Sequence, residues 1–175
     1  GKRGQIVREL AAGVSRPVES APLLFVEPFS ADSRTVVASG LDGSLDVRNI
    51  VTGATHFRVP HGDERLMSAA VSASGEMATV PFAGMWIELW GKGGESLGKL
   101  GDGESPPWCV LFSPDGAQLV GGSSDGLIHV WDVASQTFET TLGGHSQVVL
   151  GLAFNPAYPW MLASCSLDGT LRVWD

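Results

Sequence analysis

The chain has 175 residues, 23 of them glycine and 10 proline, and a net charge of −8. That charge argues against binding of nucleic acid through neutralised phosphates, and an apolar run of about 18 residues, the length that crosses a membrane, does not occur. Residues 1–58 are nearly neutral, with seven Lys/Arg and six Asp/Glu, whereas residues 59–175 carry four against thirteen. Composition therefore predicts no nucleic-acid or membrane partner and favours a protein rich in short strands and turns.

In chain order, short apolar runs alternate with turn signals, and no stretch has helical periodicity. Gln5 to Leu10 and Val14 to Glu19 are predicted to be the last strands of a unit that begins before residue 1. Four similar units of strands follow, at residues 21–60, 61–100, 101–142 and 143–175. The last unit ends after its third strand, and the chain lacks an initiator Met. These features predict an all-β fragment of a longer protein.

Within these units one sequence motif occurs in two similar copies. GGSSDGLIHVWDV (121–133) and ASCSLDGTLRVWD (163–175) each carry an apolar run, an Asp-Gly turn and an alternating strand that ends in Val-Trp-Asp. Trp131 and Trp174 are 43 residues apart, as are Asp125 and Asp168. At the position of this tryptophan, the first unit has Arg48 and the second has Trp90. A period of about 40–45 residues with Gly-His and Trp-Asp signatures is typical of one four-stranded propeller blade.

These motifs resemble the WD-repeat (tryptophan-aspartate repeat) β-propeller family, and the resemblance covers nearly the whole chain. It implies about four four-stranded antiparallel blades preceded by two strands. WD-repeat rings usually have about seven blades, so we expect an open arc. The alternative is a closed ring of four blades, in which residues 14–19 pair beside Thr170 to Trp174.

The resemblance also implies a hydrogen-bonded chain of four side chains within each blade. In the fourth unit these are His145, Ser164, Asp168 and Trp174. The third unit keeps Asp125 and Trp131 but has Gly121 at the serine position, and Gly101-Asp102-Gly103 where the histidine would lie. The second has His61, Thr79 and Trp90, with Ala83 replacing the aspartate, and the first keeps Asp42.

Catalytic, cofactor and metal sites are not indicated. His145, Ser164 and Asp168 could be mistaken for a nucleophile, base and orienting acid, but Ser164 lies in a strand without a nucleophile elbow. Gly91-Lys92-Gly93-Gly94 lacks the rest of a phosphate-binding motif, and the four histidines have no zinc spacing. Cys109 and Cys165 are predicted to be buried, inert thiols, which favours a reducing intracellular compartment, the cytoplasm or nucleus.

The family resemblance places partner binding on the loops before each first strand and on the Asp-Gly turns. Seven of the eight residues aligned there are apolar: Phe25, Met67, Trp108, Leu150, Leu41, Phe82, Ser124 and Leu167. Acidic residues lie between them, namely Asp63, Glu64, Asp102 and Glu104. An aromatic anchor surrounded by acid suits a basic or apolar peptide segment, with Trp108 as the expected anchor.

We therefore expect a non-catalytic scaffold that binds other proteins and is joined to further WD repeats of its parent chain. Two other readings remain open. One is a purely architectural propeller segment, and the other is a part of a propeller enzyme.

Overall fold

The structure is a computed structural model, and it describes residues 25–26, 29–30, 33–39, 44–59, 66–101 and 103–175. These residues form strands and no helix, so no helix among them could cross a membrane. The strands are β1 (Phe25–Val26), β2 (Thr35–Ser39), β3 (Leu45–Asn49), β4 (Thr55–Val59), β5 (Leu66–Val71), β6 (Met77–Pro81), β7 (Ile87–Trp90), β8 (Ser96–Leu100), β9 (Pro107–Phe112), β10 (Gln118–Ser123), β11 (Ile128–Asp132), β12 (Thr137–Leu142), β13 (Val149–Phe154), β14 (Leu162–Ser166) and β15 (Leu171–Trp174).

Consecutive strands pair antiparallel in four sheets. The first sheet is β2-β3-β4, the second contains β5-β6-β7-β8, the third is β9-β10-β11-β12 and the fourth is β13-β14-β15. Because each sheet meanders, the loops that join one sheet to the next lie at the same end as the turns between its second and third strands. We call this the turn end of the sheets, and the end with the other hairpin turns the opposite end. The prediction of an all-β fold is confirmed.

The segment before the first sheet pairs differently from the sequence prediction. Phe25 and Val26 lie parallel to Ser68 and Ala69 of β5, so β1 extends the second sheet. An antiparallel bridge between Phe29 and Val36, with hydrogen bonds between Ser30 and Thr35, links residues 29–30 to β2 of the first sheet. The backbone of β1 thus pairs with the otherwise open edge of β5, which satisfies ladder groups on both segments. The predicted strands within residues 5–10 and 14–19, and the ring closure through 14–19, lie outside the described residues.

Two turns at the turn end have the same geometry because both contain Asp-Gly. Gly126 and Gly169 have φ angles of 89° and 79°, a left-handed conformation that glycine adopts without a steric penalty. The preceding aspartate caps each turn from its side chain. Asp125 Oδ1 accepts a hydrogen bond from Leu127 N at 2.9 Å, and Asp168 Oδ1 accepts one from Thr170 N at 2.8 Å. Four residues therefore suffice to determine this hairpin.

The hydrophobic core lies between successive sheets, in three layers. Sheets one and two enclose Val47, Val59 and Met77; sheets two and three enclose Ile87, Leu89 and Leu119; sheets three and four enclose Ile128, Val149 and Leu162. Trp90, Trp131 and Trp174 each pack into the layer that precedes their own sheet. Face-to-face packing of apolar layers is the arrangement expected for propeller blades.

Strand β10 comes unusually close to both of its neighbouring sheets. A Cβ on Gly122 would lie 2.7 Å from Val149 Cγ1 and 2.8 Å from Cys109 Sγ, on the side of the fourth sheet. A Cβ on Gly121 would lie 3.0 Å from Ile87 Cδ1 and from Trp131 Cζ3, on the side of the second. Because glycine has no side chain, the backbone of β10 itself forms part of the packed surface toward the second sheet and toward the fourth.

The prediction that both cysteines are buried is wrong for Cys165. Cys109 is buried, and its Sγ donates to the carbonyl oxygen of Val149 at 3.6 Å. Cys165 is exposed, because side chains alternate along β14 and the buried face holds Leu162, Ser164 and Ser166.

Candidate functional site

In the fourth sheet, four side chains from different elements form one hydrogen-bonded chain. Trp174 Nε1 on β15 donates to Ser164 Oγ on β14 at 2.9 Å. Ser164 Oγ lies 2.8 Å from His145 Nε2, and His145 Nδ1 lies 2.9 Å from Asp168 Oδ2 in the turn. The network connects the loop before β13 to the second strand, the turn and the third strand of its sheet.

Each polar hydrogen in this network has an acceptor within the network. An indole N–H can only donate, so the Ser164 oxygen accepts from Trp174 and its hydroxyl proton is available for His145 Nε2. Neutral His145 then carries its proton on Nδ1 and donates it to the Asp168 carboxylate. Because His145 and Ser164 are 6% and 2% exposed, a break in the chain would leave a buried polar group without a partner.

The Asp168 carboxylate is held in its charged form. It accepts hydrogen bonds from the Thr170 hydroxyl and backbone N–H, from His145 and from the Ser146 N–H. The Thr170 hydroxyl contributes most, and together these donors hold the pKa of Asp168 far below its ordinary value of 3.8. The turn thus stays negatively charged at every physiological pH.

This geometry serves structure and is unsuited to nucleophilic catalysis. Ser164 Oγ is buried and already accepts the indole N–H, so a substrate cannot reach it. In the described ranges, no group of three His, Cys, Asp or Glu side chains could hold a metal ion.

The third sheet keeps the turn and the tryptophan but completes them differently. Ser105 Oγ, in the loop before β9, donates to Asp125 Oδ2 at 2.5 Å and so replaces the missing histidine as a donor. Gly121 has no hydroxyl to offer, and the carbon edge of Trp131 lies against it, with Cζ3 3.0 Å from the position of a Cβ. In the fourth sheet it is the nitrogen edge of the indole that meets the equivalent Ser164. Sequence reasoning missed Ser105, because it lies 20 residues before Asp125, whereas His145 lies 23 residues before Asp168.

The first two sheets carry further variants. In the second, Trp90 Nε1 donates to Thr79 Oγ1 at 3.0 Å, whereas Ala83 at the aspartate position is exposed. In the first, Arg48 at the tryptophan position pairs with buried Asp46 at 2.5 Å, and Arg58 reaches the same carboxylate at 2.6 Å. Burial alone would raise the pKa of Asp46, but hydrogen bonds from the two arginines outweigh it and lower the pKa. His61 and Asp42 lie outside the described residues.

The turn end brings together several of the surface residues predicted from the sequence. Phe82 and Leu167, in turns of the second and fourth sheets, are each 56% exposed. Trp108 at the start of β9 is half-buried and packs against the core between sheets two and three, with Nε1 buried and without an acceptor. Leu150 and Ser124 are half-buried and Glu104 is exposed. Leu41, Asp63, Glu64, Asp102 and the side chain of Phe25 lie outside the described residues.

Met67 does not belong to an accessible face, contrary to the sequence prediction. It is 3% exposed and lies in the core between the second and third sheets. Every residue of β5 is buried. Because both faces of β5 are covered, its side chains have no orientation that reaches solvent. The alignment of Met67 with Trp108 therefore did not predict its exposure.

An exposed aromatic pair at the opposite end was also missed. Tyr158 and Trp160, in the turn between β13 and β14, are 52% and 67% exposed, and their rings meet edge to face at 5.5 Å. The sequence signal was Ala-Tyr-Pro-Trp, a run too rich in aromatic residues for an ordinary solvated turn.

Comparison with known proteins agrees with this architecture. Residues 94–132 and 136–175 match the family model "WD domain, G-beta repeat". The chain is 23% identical over 150 residues to the WD repeat-containing protein 26 homolog of Drosophila melanogaster, covering 83% of this chain and 24% of that protein. It is 43% identical over 65 residues to human WD repeat and HMG-box DNA-binding protein 1, covering 37% of this chain and 6% of that protein.

A solved structure supplies the fold. The β-propeller domain of Cps50 (Swd1) from Myceliophteria thermophila superimposes with a TM-score of 0.70 at 13% identity, over 83% of this chain and 49% of that one. The chain spans about half of that domain and a quarter or less of the two curated relatives. The fold is that of a β-propeller. Residues 94–132 and 136–175 are WD repeats by the family-model match, and the curated relatives are themselves WD repeat-containing proteins.

Proposed function

We propose that this chain is a non-catalytic scaffold whose turn end binds a partner polypeptide. The observation that carries the proposal is the exposure of apolar side chains at that end. Phe82 and Leu167 are more than half exposed there, although the turns they occupy need no apolar residue, and part of Trp108, at the start of β9, remains accessible at the same end. Exposed apolar groups that cluster on one end of a protein often mark an interaction site.

Charge defines the kind of partner. Glu104 is exposed at the turn end, and residues 59–175 carry an excess of nine acidic side chains. A partner segment with basic residues would be attracted to this end. Such rim charges mainly raise the rate of association, and their effect weakens as salt screens them.

The test compares the two ends of the sheets. A partner is first isolated on the immobilised chain and purified, and its affinity is then measured for single variants. Trp108→Ala should weaken binding by about 2 kcal/mol, roughly thirtyfold in Kd, chiefly through faster dissociation. Glu104→Lys should slow association at low salt and have little effect at high salt.

Trp160→Ala is the matched control, because Trp160 is a more exposed tryptophan at the opposite end. It should leave the affinity unchanged. If Trp160→Ala weakens binding and Trp108→Ala does not, the partner uses the opposite end. If neither variant changes the affinity, the partner contacts a surface that neither tryptophan forms, and the proposal for the turn end is wrong. If the immobilised chain retains no partner, the architectural reading is favoured.

A further inference from the structure

The structure contains a cavity of about 270 Å³ between the second and third sheets. Ile87 and Leu100 line it from the second sheet, and His129, Trp131, Phe138 and Thr141 line it from the third. The loop that joins the two sheets contributes Gly101 and Ser105, so the cavity reaches the turn end.

The cavity follows from the small residues of the third sheet. In the fourth sheet the His145 ring lies against Trp174, with ring centroids 6.1 Å apart, and fills the space beside the indole. In the third sheet the smaller Ser105 replaces that histidine and lines the cavity, while the carbon edge of Trp131 occupies the space at Gly121. The volume left beside Trp131 is larger than the roughly 150 Å³ of an apolar cavity that holds benzene.

The walls are suited to an uncharged aromatic ring. His129 lies 5.7 Å from Trp131 and 6.2 Å from Phe138 between ring centroids, so three rings stand along one wall. Of the described residues that line the cavity, none carries a full charge when histidine is neutral. Aromatic rings gain from edge-to-face and offset contacts beyond the apolar area they bury. His129 Nδ1 and Thr141 Oγ1, 3.2 Å apart, offer polar atoms to a ring substituent or a backbone group.

The mouth of the cavity is acidic. Asp125 is exposed and accepts the hydroxyl of Ser105, a lining residue, and exposed Glu104 immediately precedes Ser105. A neutral pocket with carboxylates at its rim complements an aromatic residue that is flanked by a basic one.

We propose that this cavity receives an aromatic side chain of the partner polypeptide, next to a lysine or arginine that faces Glu104 and Asp125. The inference rests on the proposed function for the nature of the occupant. It adds a specific pocket and a sequence preference, aromatic next to basic, to the turn end. The partner's ring would stack beside Trp131 and Phe138, while its basic neighbour would stay at the solvated rim.

The probe is the peptide acetyl-Gly-Arg-Phe-Gly-amide with a 4-fluorinated phenylalanine, titrated with the full chain and followed by fluorine NMR. Thr141→Phe, which places a ring in the cavity, should weaken binding by about tenfold or more, a difference that titration resolves readily. Thr140→Phe is the matched control, because Thr140 pairs with Val130 on the other face of β12 and lines no part of the cavity. It should retain the affinity of the parent chain.

Two further comparisons complete the test. Phe138→Ser, at a side chain that is 57% exposed and so not needed for folding, should also weaken binding. A peptide with alanine for phenylalanine should lose binding, and one with glutamate for arginine should bind less tightly. The inference is overturned if the parent chain does not bind the probe, if Thr141→Phe and Thr140→Phe behave alike, or if the alanine peptide binds equally well. None of these results would contradict binding of a partner through Trp108, so the proposed function is judged separately.

Discussion

The third and fourth sheets carry the same Asp-Gly turn and the same tryptophan, 43 residues apart, yet they complete the site around them in different ways. In the fourth, His145 and Ser164 link the turn to Trp174 without a gap. In the third, Ser105 satisfies Asp125, but Trp131 presents its carbon edge to Gly121 and a cavity opens beside it. The comparison shows that the turn depends on four local residues, whereas the network depends on a loop some 20 residues away along the chain.

The largest expected effect comes from the turn glycines, which share a φ angle but not an environment. A Cβ on Gly126 would lie 2.6 Å from the carbonyl oxygen of His145, whereas a Cβ on Gly169 has nothing within 4 Å. Gly169→Ala should cost about 1–2 kcal/mol, the penalty of a left-handed residue. Gly126→Ala adds a backbone clash and should cost about 3 kcal/mol or more. Free energies of unfolding from urea titration measure both. Equal losses would mean that the loop at His145 moves aside freely.

A smaller effect is expected at the serine that the two sheets do not share. Ser164→Ala leaves Trp174 Nε1 without an acceptor and His145 Nε2 without a donor, and should lower the free energy of unfolding by about 1–3 kcal/mol.

The reverse change should not transfer the network to the third sheet. Gly121→Ser places a Cβ against Ile87 and Trp131, so it should destabilise the chain rather than stabilise it. A more stable Gly121→Ser variant would show that Trp131 can turn its nitrogen edge toward the new hydroxyl, which contradicts the difference drawn between the two sheets.

The smallest expected effect is a change in stability at low pH. The pKa of Asp168 is lowered in the folded chain, so its charged form contributes stability that is complete above the unfolded value, near 3.8. That contribution is lost progressively as the pH falls below this value toward the folded pKa. Asp168→Asn should therefore be less stable than the parent chain at neutral pH, and the difference should shrink below about pH 4. Thermal midpoints between pH 2 and 7 provide the measurement. A difference that stays constant across the range would disprove the argument.

Local features of the fold could be predicted from the sequence. The strands, the Asp-Gly turns and the spacing of Trp90, Trp131 and Trp174 are short-range patterns, and each residue carries its own conformational preference. The family resemblance then named His145, Ser164, Asp168 and Trp174, which the structure brings into one chain of hydrogen bonds.

What could not be predicted depends on contacts between distant segments. Ser105 reaches Asp125 across 20 residues through a loop that no motif marks. Met67 is aligned with Trp108 yet faces the core, because orientation at the start of a strand depends on the neighbouring sheet. The parallel pairing of Phe25 with Ser68, and the outward direction of Cys165, are likewise set by which strand edge or sheet face is available.

The glycine pair of β10, Gly121 and Gly122, couples the packing between sheets two and three to the packing between sheets three and four. Ile87 presses on Gly121 from one side and Val149 presses on Gly122 from the other, so a single strand of backbone separates the two layers. In repeat proteins the free energy of unfolding is approximately a sum of separate contributions from each repeat and each interface between neighbouring repeats. Here, any movement of β10 that relieves crowding at Ile87 must compress Val149. Substitutions at Ile87 and Val149 should therefore be non-additive, although the two residues belong to sheets that are not neighbours.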